Sequence, residues 1–254
     1  MAERVLQDRD VWLAIAIRGA GGGVCLFGAE LAGAQLERAN LGGGDLRLAN
    51  LTGATLRRAC LQKADLRWAT LEGADLTEAT LSKTNLGAAV LTQARLNEAY
   101  AVLANLAGAR LREALLEEAD LSGANLSRAK LINAKAARAR LPQADLRFAD
   151  LDGADLTQAE LTHTRWHGAR LRGANLAWAN LADADLRGAN LDDVELDHTI
   201  LEGARINRRW ETTLTGFEGT PKWVEGEGEE EPVEDEEERP EVDLREAWEV
   251  LGRS

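Results

Sequence analysis

Residues 61–80 read Leu61-Gln62-Lys63-Ala64-Asp65-Leu66-Arg67-Trp68-Ala69-Thr70-Leu71-Glu72-Gly73-Ala74-Asp75-Leu76-Thr77-Glu78-Ala79-Thr80. Leu returns at every fifth residue, and Ala stands two places before it. The same frame runs unbroken from Leu26 to Ile206: thirty-seven positions, thirty-three of them Leu, with Ala101, Ala136, Trp166 and Ile206 as the exceptions. The frame two residues earlier holds thirty-one Ala, the others being Val24, Gly44, Thr84, Thr164, Val194 and Thr199. Neither frame carries a charge, and all 24 acidic and 22 basic residues of 24–208 fall at the other three phases. So strict a period marks a solenoid, in which one short unit cannot bury its apolar face until its neighbours stack on it.

The order within the unit predicts its shape. A small residue, one polar residue and then Leu alternate in-out-in, the period of a strand. A helix needs apolar returns at three and four residues, and a fixed five cannot hold one helical stripe. The two remaining residues, often Gly and a polar residue, suit a corner. Sorting the residue before each Leu at a spacing of twenty gathers Asp45, Asp65, Asn85, Asn105, Asn125, Asp145 and Asp185 into one column. That column is seven-tenths Asp or Asn, against three of nine in each of the other three, whereas a spacing of fifteen spreads these residues evenly. Twenty residues per turn means four sides, and the frame then makes about nine coils, roughly 45 Å long at ~4.8 Å per stacked strand.

Ala74-Asp75-Leu76, Ala124-Asn125-Leu126 and Ala184-Asp185-Leu186-Arg187-Gly188 carry a resemblance to the pentapeptide repeat family, covering about three quarters of the chain. The resemblance implies a right-handed quadrilateral β-helix, an all-β solenoid, in agreement with the period of twenty. It also brings a function from the best-understood branch of the family, which mimics duplex DNA and acts on DNA gyrase. Most members of the family have no assigned activity.

Outside the frame the chain divides further. Residues 1–23 are expected to form an N-terminal cap: Asp10 can cap a helix from Val11 to Arg18, although Val11, Leu13, Ile15 and Ile17 also alternate as a strand does. Glycines at 19 and 21–23 lack the Lys-Ser or Lys-Thr of a phosphate loop and are expected to be a linker. Residues 209–224, with Trp210, Leu214, Phe217 and Trp223, are expected to cap the last coil. An acidic, disordered linker is expected over 225–240: ten Asp or Glu among residues 225–238, with no base, repel one another and bury nothing. Over 241–254, Asp243 and Glu246 resemble a capping box for a short amphipathic helix with the stripe Leu244, Trp248 and Leu251. Too short to stand alone, it is expected to dock on the rod or on a partner.

Departures inside the rod mark candidate sites. Trp166 replaces a core Leu, so that side is either widened or its indole is tipped outward. Tyr100, Val102 and Leu103 put apolar groups at outward phases, as a bulge packing on itself or as a contact patch. His163 and His167 have the spacing of two metal ligands on a helix, but on a strand corner with no third ligand they read as surface residues. The Asp-Leu-Arg runs ending in Leu48, Trp68 and Phe148 present an outward Arg and a large apolar group, a pattern that can stack on bases. Against this, Asp and Arg on neighbouring rungs neutralise one another, and arginine stems cover rings.

Composition bounds the function. The chain is 45% apolar, enough for a large core, with only 4% aromatics. Its two cysteines, thirty-five residues apart and outward-facing, make no disulfide framework, and the longest early apolar run, Val11 to Ile17, is too short to span a membrane. A reduced, cytoplasmic setting is expected. A rod filled by Leu and Ala has no pocket for a substrate, so no enzyme, cofactor or metal site is expected. Outward charges by side total +4, −2, −3 and −1, a small surplus that argues against direct nucleic-acid binding. Of the net charge of −13, residues 209–254 contribute −11, which also argues against duplex mimicry by the rod. What remains is a non-enzymatic interaction scaffold for a protein partner, or for a second copy as a homodimer. Its candidate contacts are Arg47, Arg67, Trp68, Phe148, Leu244, Trp248 and Leu251. The gyrase-directed DNA mimic is the alternative.

Overall fold

The computed structural model describes residues 23–225. The expectations for the N-terminal cap, the acidic stretch beyond residue 225 and the terminal helix with Leu244, Trp248 and Leu251 lie outside the described residues.

Parallel bridges join residues twenty apart in four interleaved columns. One runs Cys25, Asp45, Asp65, Asn85, Asn105, Asn125, Asp145, Arg165, Asp185 and Arg205, the column that the Asp and Asn pattern picks out. The rod is therefore four-sided. Each side is narrower than the alternation predicts, because only one residue per side is bridged rather than a three-residue strand. The hydrogen bonds show why. Leu46 N–H donates to Asp65 O at 2.7 Å and Leu48 N–H to Arg67 O at 3.1 Å, while Ala49 N–H turns back to Leu46 O at 3.1 Å. The corner thus begins at the Leu itself, and two of the five residues belong to it.

All corners are alike. From residue 28 to residue 203 every fifth residue has φ between 53° and 73°. A positive φ at the third position of a four-residue turn is the type II pattern, which favours Gly there. Twenty-four of these corners nevertheless carry a side chain.

Both inward frames are buried except at Val194, which is half-buried, and they form one continuous core. The polar departures are satisfied internally. Thr84 and Thr199 donate their hydroxyls to Leu61 O and Leu176 O, each at 2.7 Å. Trp166 is fully buried, which overturns the outward-tipped alternative. Its indole N–H donates to Thr164 Oγ1 at 2.7 Å, and that hydroxyl donates to Leu161 O at 2.5 Å. The corner before it is stretched, Thr164 N–H to Leu161 O lengthening to 3.4 Å. At Tyr100 no bulge exists: the bridges Thr80↔Tyr100 and Tyr100↔Asp120 keep the register. The apolar groups there stand on a regular rung.

The ladder continues where the Leu frame stops. Strand β1 (Arg205–Asn207) leads into a 3₁₀ turn (Arg208–Trp210), and β2 (Lys222–Val224) pairs with β1 in parallel. His198 N–H donates to Gly216 O at 2.7 Å and Leu201 N–H to Glu218 O at 2.8 Å, so the final turn is shorter than twenty residues. Trp210 and Leu214 are buried against the end of the core, with Phe217 and Trp223 packed on it.

Candidate interaction surface

The outward residue before each Leu has a backbone task. Asp and Asn at this position accept the N–H two residues on, as in Arg47 N–H to Asp45 Oδ1 at 3.3 Å, Ala107 N–H to Asn105 Oδ1 at 3.2 Å and Thr157 N–H to Asp155 Oδ1 at 3.1 Å. Short polar side chains suit this local bond, which gives the corner N–H a partner within its own unit.

Where Arg follows in the same unit, the Asp does a second job. Arg47, Arg67, Arg147 and Arg187 each clamp the Asp two places before through both Nε and Nη2, at 2.6–3.0 Å. Neutralisation therefore occurs within a rung as well as between rungs, where Arg47 also approaches Asp65 at 3.8 Å and Arg205 approaches Asp185 at 3.5 Å. The Arg47 side chain is the main influence lowering the Asp45 pKa. At Asp145 and Asp185 partial burial is the largest single influence and pulls upward, but the hydrogen bonds from Arg147 and Arg187, together with their charges and those of Arg165 and Arg205, bring the net direction down.

The rings on this side are covered by guanidinium groups. Arg47 lies 5.2 Å from the Phe27 centroid, Arg67 lies 5.2 Å from that of Trp68, and Arg128 lies 5.7 Å from that of Phe148. Phe148 leans onto the next coil, where a Cβ on Gly168 would come within 2.5 Å of its ring, and His167 meets it edge-on at 5.6 Å. Among the sequence-derived candidates, Arg47, Arg67, Trp68 and Phe148 thus share one side and are engaged in its internal ladder. Among the described residues no group of three or more His, Cys, Asp or Glu could hold a metal ion. Cys25 and Cys60 are free thiols. No helix among the described residues is long and apolar enough to cross a membrane.

The structure exposes other apolar groups. Tyr100 is 54% and Leu103 55% exposed, on one rung with half-buried Val102 between them. Around them lie Ser82 and Lys83 on the preceding coil and Asp120 and Ser122 on the following one. Farther along, Trp178 is 56% exposed and stacks on His198 with centroids 4.0 Å apart. Both Trp178 and Leu103 sit at the left-handed corner position, where a side chain lies outside the core frames. That phase is the sequence signal for them.

A four-sided all-β solenoid with a five-residue unit defines a class of protein, and the comparisons agree with it. The chain belongs to the pentapeptide repeat family, whose fold is the right-handed quadrilateral β-helix: the Pentapeptide repeats model matches in eight copies within residues 29–208. Among solved structures it is similar to HetL, a pentapeptide repeat protein involved in heterocyst differentiation regulation from the cyanobacterium Nostoc sp. strain PCC 7120. That likeness has 30% identity over 87% of this chain and 94% of HetL, with a TM-score of 0.45. It is also similar to full-length QnrB1, a plasmid-mediated fluoroquinolone resistance protein, at 16% identity over 80% of this chain and 94% of that one, TM-score 0.38. Rfr23 from the cyanobacterium Cyanothece 51142 matches at 25% identity over 47% of this chain and 91% of its own, TM-score 0.29. No curated protein matches the chain.

Proposed function

We propose that the chain is a non-enzymatic, rigid interaction scaffold that binds a protein partner through one of its sides. The observation that carries the reading is the rung of Tyr100, Val102 and Leu103, where two large apolar side chains stand more than half exposed on an unbroken ladder. Elsewhere the outward positions are mostly small, polar or charged, and many arginines are held against carboxylates. An apolar centre within a polar rim of Lys83, Asp120 and Ser122 is the make-up of a protein contact, and a fixed backbone lowers the ordering cost of binding. About nine coils would set that rung near the middle of the rod. The acidic stretch and the stripe Leu244, Trp248 and Leu251 are further tethered contacts in this reading. Leu and Ala fill the interior, so polar groups that could act on a substrate are confined to solvated sides.

Full-length wild type and a Tyr100→Ser, Leu103→Ser variant, immobilised and exposed to lysate of the source organism, test the proposal. A protein retained by wild type should fall roughly tenfold or more with the variant, as expected on losing contacts worth ~2 kcal/mol, while the melting temperature stays the same. Equal retention of every bound protein overturns it. The gyrase-directed mimic makes the opposite prediction in a supercoiling assay. Inhibition that survives neutralising the acids of 227–238 would favour the mimic, because the rod alone would then supply it.

A further inference from the structure

Several rings outside the two inward frames are covered by the chain's own guanidinium groups. Arg47, Arg67 and Arg128 do this for Phe27, Trp68 and Phe148, and Arg209 lies 4.8 Å from the centroid of Trp210. Trp178 departs from that pattern. Its neighbours at the same corner are Gln158 on the preceding coil and His198 on the following one. His198 stacks on one face of the indole, with the ring planes 23° apart. Trp178 is still 56% exposed, so its other face, towards the coil of Gln158, is open to solvent.

Charge around this corner has one sign. At their outward positions between residues 155 and 203, the two sides that meet there hold six carboxylates, Asp155, Glu160, Asp183, Glu195, Asp197 and Glu202, and neither Lys nor Arg. The closure adds Glu218 beside His198, and Lys222 at the far corner near Gly203. On the arginine side an Asp is clamped by the Arg of its own unit, but here neutral donors hold the carboxylates. Thr157 Oγ1 donates to Asp155 Oδ1 at 2.6 Å, and Asn180 Nδ2 donates to Glu160 Oε1 at 3.3 Å. Such bonds orient a carboxylate without cancelling its charge. Asp155 and Glu160 stand on the coil of Gln158, one on either side of the corner that the open indole face overlooks.

We propose that this corner docks an arginine from a basic segment of a partner protein. The guanidinium lies on the open face of Trp178, as the rod's own arginines lie on Trp68 and Phe148, and bonds to the carboxylates of Asp155 and Glu160. A planar guanidinium suits both a flat ring and carboxylate oxygens, whereas an ammonium is a compact, strongly hydrated point charge. Charge complementarity selects the partner, because six carboxylates repel an acidic segment and attract a basic one. The contact lies four coils from the Tyr100 rung, ~19 Å at ~4.8 Å each. It uses none of that rung's residues, so its failure leaves the scaffold proposal standing.

The test titrates the full-length chain with a fluorescent peptide of alternating Gly and Arg, at ~0.15 M salt so that distant carboxylates are screened. The wild-type chain is labelled with fluorotryptophan, and the Trp178 fluorine resonance is assigned by its loss in Trp178→Phe. That resonance should move on titration, while those of buried Trp166 and of Trp68 under Arg67 stay in place. Trp178→Ser should weaken binding about fivefold, as loss of a cation–π contact implies. Asp155→Asn with Glu160→Gln keeps both hydrogen-bond acceptors and should weaken it by about the same factor. The corresponding Gly-Lys peptide should bind wild type more weakly than Gly-Arg does. The resonance shift is read in the wild-type chain and does not depend on how the variants fold. Binding that leaves the Trp178 resonance unmoved, equal affinity for wild type and either variant, no preference for Arg over Lys, or no binding at all overturns the proposal.

Discussion

Each corner asks one residue to hold a left-handed backbone, and twenty-four residues other than glycine comply. The strain costs about 1–2 kcal/mol at such a position, and glycine relieves it at an entropic cost of ~0.5–1 kcal/mol. Ala88, with φ of 53°, has no long side chain to lose. Ala88→Gly should therefore stabilise the rod by ~0.5–1 kcal/mol, read as a higher denaturant midpoint. Gly73→Ala should do the reverse, since φ there is 62° and no neighbour within 4 Å would meet the new Cβ. At Leu106, inside the core, replacement by Asp buries an unpaired charge and should cost more than ~4 kcal/mol. Melting within a few degrees of wild type would contradict the packing. Trp166 shows what a frame alone does not disclose. That it replaces Leu is plain in the sequence, but its direction depends on the Thr164 hydroxyl two residues earlier, which accepts the indole proton inside the core. Thr164→Val removes that acceptor at similar volume and should destabilise by ~1–3 kcal/mol.

Rungs and closures are the next scale, and their stability depends on pH with opposite signs. Asp45, Asp145 and Asp185 have native pKa values lowered by their arginines. Their contribution is present above the unfolded value of about 4 and lost as pH falls through the depressed native values. A variant with all three as Asn should show a flatter dependence of melting temperature on pH below about 4 than wild type. At the C-terminal closure the sign reverses. His198 Nδ1 lies 3.0 Å from Glu218 Oε1, and that hydrogen bond, with the charge of Asp197, raises the His198 pKa. Its contribution is full below the unfolded value of about 6.5 and lost as pH rises through the raised native one. His198→Gln should remove a loss of stability that sets in as pH rises above about 6.5. How far the elements could be read in advance follows from their periodicity. The four columns follow from where Asp and Asn recur, since each accepts a corner N–H. The final shortened turn did not, because residues 209–224 carry no five-residue frame. Their ladder rests on backbone bonds such as Leu201 N–H to Glu218 O, which any side chain permits. The bulge alternative at Tyr100 failed for the same reason: the backbone tolerates apolar outward residues without leaving register.

At the scale of the whole molecule, stacking makes a stiff core from one small unit, and function is left to the three outward phases. The interior was legible because two of five positions are nearly invariant along the chain. The surface was less so. Arg47, Arg67, Trp68 and Phe148 form a pattern in sequence, yet in space they are drawn into clamps and ring contacts. Leu103 stands out only once the left-handed corner position is known to point away from the core. The central claim is that such a rung, on a rod that need not change shape, receives a protein partner. Hydroxyl-radical footprinting of the full chain, free and with its captured partner, reads this directly because Tyr, Leu and Trp side chains react when exposed. The account predicts that Tyr100 and Leu103 lose reactivity in the complex, while Trp178, some four coils away, keeps it. Undiminished labelling of Tyr100 and Leu103 in a complex that protects other parts of the chain would contradict it.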